Sequence, residues 1–308
     1  MRFIFHLPGS WLGPGGSGLM PFYRNLIDGL ERQGIEVELR VLDRMRVMQD
    51  VESDSSFHVV NHGQFSHPRL RNVGLAYVYP FWHVDPKGIR AHSSIADAAF
   101  DPRGTDAVIA RAFFRRQVKR LVGARRSRYP QPDAVPDLPE DPIAVFLQSE
   151  AHRGVAETSY LTPLEMVETI LTSQRGPVVA KLHPLDHEAG LRTRMYALAR
   201  EYPQFHIANC NIHDLLARAR KVVTINSAVG IEAYLHRKPV ILCGKADFHH
   251  IATVARSADD LRSALEAPVK ARPYDKYIHW YFAQQCLATT DPDLTDRFVA
   301  RFVDGTRT

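Results

Sequence analysis

The second half of the chain alternates between short apolar runs and longer amphipathic ones. IAVFLQS, PVVAKLHP, FHIAN, KVVTINS and PVILCG are each continuous and short enough for a buried strand. Between them lie TPLEMVETILTS, HEAGLRTRMYALAREY, IHDLLARAR and AVGIEAYLHR, in which apolar residues recur at helical spacing. Thr162 and Glu165 stand three apart with Pro163 behind the threonine, the signature of a capping box with proline at the first helical position. Strand and helix alternate throughout, which predicts an α/β unit with a parallel, doubly wound sheet. Such sheets bind their ligands beyond the carboxyl ends of the strands.

The first half is less regular. RFIFHL predicts a strand, PFYRNLIDGLERQG a helix and IEVELRVL the next strand, with Gly34 at the helix C-cap. HVVNHG and GLAYVYPF read as further strands. YPQPDAVPDLPEDP then breaks all periodicity with five prolines, as an interdomain linker does. The organisation predicted is a Rossmann-like domain over 1–128, a linker over 129–142 and a second Rossmann-like domain over 143–270. Helices in 271–308, carried by YDKYIHWYFAQQCL and DLTDRFVARFV, pack back on the first domain. Two α/β domains joined in this way leave a cleft between them.

A length of 308 residues suits two domains, and 45% hydrophobic with 24% charged residues is the composition of a globular chain. No apolar run approaches the roughly 20 residues needed to cross a bilayer. MRFIFHLPGSWLG is too short in its apolar run for a signal peptide and lacks a cleavage site. Cys210, Cys243 and Cys286 are scattered and odd in number. They suggest neither a disulfide framework nor a zinc site, so the expected compartment is the cytoplasm. The formal charge of +5 favours anionic partners, and much of it sits in RRQVKRLVGARRSR, 115–128. That segment is either the solvated face of a helix or a peripheral contact with membrane phosphate or an acidic acceptor. No nucleic-acid reading motif accompanies it.

Candidate chemistry gathers at two strand ends. In KLHP, Lys181 and His183 stand at a carboxyl end with Pro184 fixing the turn, where a cation and an imidazole can neutralise a phosphate. In TINSAVGIEA, Ser227 falls at a predicted helix N-cap, and Gly230 leaves room for close approach of a ligand. The first helical N–H groups make an anion site to which Asn226 and Ser227 add donors. Glu232, a turn further on, either accepts from ribose hydroxyls or is an ordinary first-turn charge. GPGGSG, 13–18, has the dinucleotide spacing, but PGSWL separates it from the strand and no P-loop lysine follows. A glycine-rich loop facing the cleft accounts for it better. His62 with His67, and His249 with His250, lack a third metal ligand. DPD at 291–293 reads as a turn before DLTDRF.

KLHP followed by VVTINSAVGIEAYLHRKPVILCGKADF resembles the capsule polysaccharide biosynthesis family, whose members include β-Kdo transferases using CMP-Kdo. The resemblance runs over 143–265 and more weakly through YDKYIHWYF. It implies a GT-B fold, with an acceptor-side domain and a nucleotide-sugar domain. It also implies that His183 contacts the CMP phosphate, that Ser227 and the following amides from Ala228 complete the grip, and that Glu232 holds the ribose. No cofactor or metal is implied; the CMP-linked sugar is the donor substrate, and a surface polysaccharide or glycolipid the acceptor. The acceptor needs a base, or the sugar a nucleophile. Glu150 in FLQSEAHRG, with His152 near it, and Asp85 in FWHVDPKGIRAHSS are the candidates. Relatives carry a richer acidic run than SEAHRG. A CDP-glycerol-type glycerophosphotransferase and a catalytically silent nucleotide-sugar-binding subunit are the alternative readings.

Overall fold

The computed structural model describes residues 1–13, 18–134, 137–148, 159–183 and 189–303. The chain divides into two compact units, Met1–Ala98 with Tyr281–Thr308, and Ala99–Trp280.

In the first unit the predicted pattern begins as expected. β1 (Arg2–Leu7) is buried from Phe3 onward. It is followed by α1 (Pro21–Arg32), which buries Phe22, Tyr23, Leu26, Ile27 and Leu30 on one face. Gly34 ends that helix at φ 72°. Its N–H donates to Glu31 O, and that of Ile35 to Leu30 O, satisfying carbonyls that the helix end leaves open. β2 (Glu36–Val41) and β3 (Phe57–Asn61) both pair parallel with β1, and α2 (Val47–Ser53) lies between them in sequence. β4 (Leu70–Leu75) continues the parallel sheet on β3. β5 (Phe81–Asp85) then turns back antiparallel to β4.

This last step corrects the strand expected from GLAYVYPF. Its first residues end β4 and its last begins β5, with a reversal between. Ala76 N–H donates to Phe81 O at 2.9 Å and Tyr77 takes a φ of 64°. Pro80 has no N–H to give a ladder.

The second unit starts with α3 (Ala107–Val118). Its sheet is built by β6 (Ile143–Phe146), α4 (Pro163–Ser173), β7 (Val178–Lys181), α5 (Ala189–Glu201) and β8 (Phe205–Ile207). The chain continues through α6 (Ile212–Arg218), β9 (Lys221–Thr224), α7 (Val229–Leu235), β10 (Val240–Leu242) and β11 (Thr253–Val254). α8 (Ala258–Glu266) and α9 (Tyr274–His279) close it. Every strand pair is parallel and the order is β11-β10-β9-β6-β7-β8. The capping box forms as predicted: Thr162 Oγ1 accepts from Glu165 N–H, and the Glu165 carboxylate accepts from Thr162 N–H at 2.8 Å. The described part of the proline-rich stretch lies inside this unit.

The end of the chain belongs to the first unit. β12 (Leu287–Ala288) adds antiparallel to β5, and α10 (Leu294–Val303) places Phe298 and Phe302 in the core with Phe3 and Phe5. The Phe3 ring lies 5.1 Å from Phe302 and 5.5 Å from Phe298. Truncating either tail phenylalanine opens a cavity worth about 3–5 kcal/mol. The first sheet reads β12-β5-β4-β3-β1-β2, so both units are Rossmann-like α/β layers, the class expected.

Candidate functional site

The strand order of the second sheet reverses at β6, which has β7 on one side and β9 on the other. A doubly wound sheet opens a crevice at such a switch point. The tips carrying KLHP and TINS therefore flank β6 rather than standing side by side. Lys181 and Thr224 both stand level with Phe146. Gln148, just beyond β6, fills the space between: its Nε2 donates to Asn226 Oδ1 at 2.8 Å. Asn226 Nδ2 in turn donates to Lys245 O at 3.0 Å. Asn226 thus ties the ends of β6 and β9 to the loop after β10.

Lys181 is 8% exposed. Burial pulls its pKa below the ordinary lysine value, and among the described residues the Cys210 thiol alone acts in the other direction. Among the described residues no carboxylate is near enough to influence it. A desolvated ammonium without a counter-charge is costly, and an anionic ligand relieves that cost. His183 is half-buried two residues on, its ring meeting the edge of Tyr129 with centroids 5.1 Å apart. Pro184 lies outside the described residues.

On the β9 side one expectation changes. The helix N-cap is Ala228, not Ser227; the Ser227 hydroxyl is a weak 3.4 Å from Val229 N–H and remains half-buried beside the helix start. α7 has only seven residues, and its Gly230 and Ile231 N–H groups already donate to Ser227 O at 2.9 Å and Ala228 O at 3.1 Å. Val229 N–H, held among the described residues by the weak Ser227 contact alone, is the first-turn donor left for a ligand. Gly230 has a packing role as well. A Cβ there would lie 2.8 Å from the Phe248 ring.

Glu232 is 1% exposed, and burial pushes its carboxyl up to about 7. Neither oxygen has a full hydrogen bond among the described residues. Ser127 and Arg128 are nonetheless close enough to favour the ionised form.

Those two residues belong to a wall that the sequence did not disclose. Arg125 pairs with Asp214 at 2.6 Å and reaches Asp133 O. Asn211 Nδ2 donates to Arg125 O, His213 Nε2 donates to Arg126 O, and Gln131 Oε1 accepts from Ile212 N–H. The start of α6 thus fixes 125–131, setting Ser127 and Arg128 beside Glu232 and Tyr129 beside His183. Nothing in GARRSRYPQP has the period of an element, so charge was its only legible feature.

The remaining candidates separate. Glu150 and His152 lie outside the described residues. Asp85 ends β5 in the first unit, 3% exposed, with both oxygens occupied. Oδ1 accepts from Lys87 and Gly88 N–H, and Oδ2 from Ser94 N–H and Oγ at 2.8 and 2.7 Å. This carboxylate staples the loop after β5 through all four of these bonds.

The fold has solved counterparts. Thermosulfurimonas dismutans KpsC, β-Kdo 2,7 transferase, superposes with a TM-score of 0.58 at 15% identity over 99% of both chains. The β-Kdo 2,4 transferase of KpsC from the same organism gives 0.55 at 15% identity over 89% of this chain and 88% of that one. At such identity the likeness is one of fold. Residues 155–288 match the family model described as capsule polysaccharide biosynthesis protein, a span that holds both KLHP and TINSAVGIEA. The resemblance to that family read from the two motifs is thereby borne out. No curated protein matches the chain in sequence.

Proposed function

We propose that this protein is a glycosyltransferase of capsule polysaccharide synthesis, taking an acidic sugar such as Kdo from a CMP donor to a surface polysaccharide or glycolipid. The observation that carries the reading is Lys181, a desolvated cation with no carboxylate beside it among the described residues, at the carboxyl end of β7. The family match over 155–288 and the KpsC-like fold support it.

In this mechanism Lys181 and His183 hold the donor phosphate and stabilise the charge that grows on CMP as the glycosidic bond breaks. Ser227 and Val229 N–H, at the start of α7, take a second phosphate oxygen. Glu232 accepts from the ribose hydroxyls in its ionised form, steadied by Ser127 and Arg128. Glu150 is the carboxylate assigned to the acceptor proton or to the anomeric carbon. Because a lysine and an imidazole supply the leaving-group stabilisation, turnover is expected to survive chelators.

Thermal shift with CMP, CDP, UDP and GDP, followed by product analysis with CMP-Kdo, tests this. A ligand bound by the folded state alone raises the melting temperature by mass action. A cytidine-selective shift and a glycosylated acceptor are expected. A shift with UDP or GDP alone refutes the donor, and phosphoryl transfer from a CDP donor refutes the reaction.

A further inference from the structure

α3 has two faces. Ala110, Phe113, Phe114 and Gln117 are buried at helical spacing, and the helix packs on α7 and α9 within its unit. Opposite them stand Val108 and Ile109, 68% and 57% exposed, and the exposed cations Arg111, Arg115, Arg116 and Lys119. At roughly 100° per residue these side chains fall in one stripe. The stripe is apolar in its first turn and cationic along the rest. None of the four cations makes an ion pair with a carboxylate among the described residues. Arg111 donates to Ala107 O, and Arg116 lies 5.6 Å over the Phe113 ring.

Two adjacent β-branched side chains left in water at the end of an unpaired cationic stripe fit one kind of partner. We propose that the outer face of α3 docks on an anionic lipid bilayer, Val108 and Ile109 entering the acyl boundary and Arg111, Arg115, Arg116 and Lys119 meeting headgroup phosphates. A soluble polyanion satisfies the cations but leaves both apolar residues hydrated. A bilayer satisfies both. The basic stretch noted in the sequence is thereby divided. Its first part, with the helix turn before it, faces the lipid, whereas Arg125 is committed to Asp214 and Arg128 stands by Glu232.

Co-sedimentation of the full chain with vesicles of phosphatidylcholine, with and without phosphatidylglycerol, tests the proposal without requiring turnover, so it stands apart from the transferase reading. The protein should sediment only with phosphatidylglycerol vesicles and release as salt screens the charges. Each cation near such a surface is worth about 5-fold in binding. Arg115→Gln with Arg116→Gln should therefore cost about 25-fold. Val108→Ser with Ile109→Ser should weaken vesicle binding while leaving binding to dextran sulfate intact. All four side chains are exposed, so unchanged circular dichroism is expected of both variants. Failure of the wild type to sediment with phosphatidylglycerol vesicles overturns the proposal. So does wild-type vesicle binding by the serine variant, which assigns the stripe to a soluble polyanion.

Discussion

Replacing Lys181 by methionine separates stability from ligand affinity at one atom. The methionine thioether and methyl fill the space of the lysine stem and tip, so packing at the end of β7 is largely kept. What disappears is a desolvated ammonium without a carboxylate partner among the described residues. Exchanging buried ions for apolar residues of similar volume is neutral or stabilising by about 1–4 kcal/mol. For a single lysine whose tip borders a crevice the low end is expected, about 1 kcal/mol. The same change removes a charged hydrogen bond to the ligand phosphate, worth about 1.5–3 kcal/mol, or about 10–150-fold in Kd. With free CMP at 100 times its Kd, the wild type gains about 2.7 kcal/mol. A variant weakened about 50-fold gains only about 0.6 kcal/mol at that concentration. The order of stability should therefore cross: Lys181→Met is the more stable protein alone and the less stable one in CMP. Urea unfolding of both proteins, with and without CMP, reads this directly. A variant that is less stable in both conditions, or that binds CMP as tightly as the wild type, refutes the reasoning.

Three further outcomes follow from the geometry. Burial pushes the Glu232 carboxyl up to about 7, and its ionised form is the stronger acceptor for ribose hydroxyls, so CMP affinity should rise as pH passes upward through about 7, and Glu232→Gln should flatten that dependence. A wild-type affinity independent of pH contradicts the assignment. Asp85→Asn should destabilise the first unit by about 2–3 kcal/mol, because an amide cannot accept the bonds both oxygens now receive. If turnover vanishes while stability is kept, Asp85 is catalytic after all. His83 Nδ1 accepts from Arg90 N–H and Nε2 donates to Tyr281 Oη, and burial holds its pKa at about 3. The unfolded chain takes up that proton near 6.5 and the folded one does not. The contribution is therefore complete above about pH 6.5 and falls by about 3 kcal/mol on going down to pH 4. His83→Gln should remove that share of the acid slope in urea titrations, and an unchanged slope disproves it.

The second unit was legible because its signals are local. Each strand is a short apolar run bounded by turn residues, and Thr162, Pro163 and Glu165 declare a helix start that the hydrogen bonds then realise. Gly34 announced the end of α1 for the same reason: only a positive φ closes that helix. What failed were properties fixed by distant neighbours. The turn inside AYVYP carries no Asn-Gly signal, so a hairpin read as one strand. The packing need at Gly230 is hidden because Phe248, which a Cβ there would meet, follows it at a distance in sequence. The bonds of Asn226 are hidden because its partners Gln148 and Lys245 lie on other loops. Strand order is likewise absent from the sequence, so β6 between the two motif-bearing strands could not be foreseen. The Ser127–Arg128–Tyr129 wall exists only because α6 grips the chain around it.

A crystal structure with CMP bound tests the central claim most directly. The phosphate should lie within hydrogen-bond distance of Lys181 Nζ and the His183 ring, with the ribose turned toward Glu232. A phosphate held elsewhere, with Lys181 still unliganded, contradicts the account.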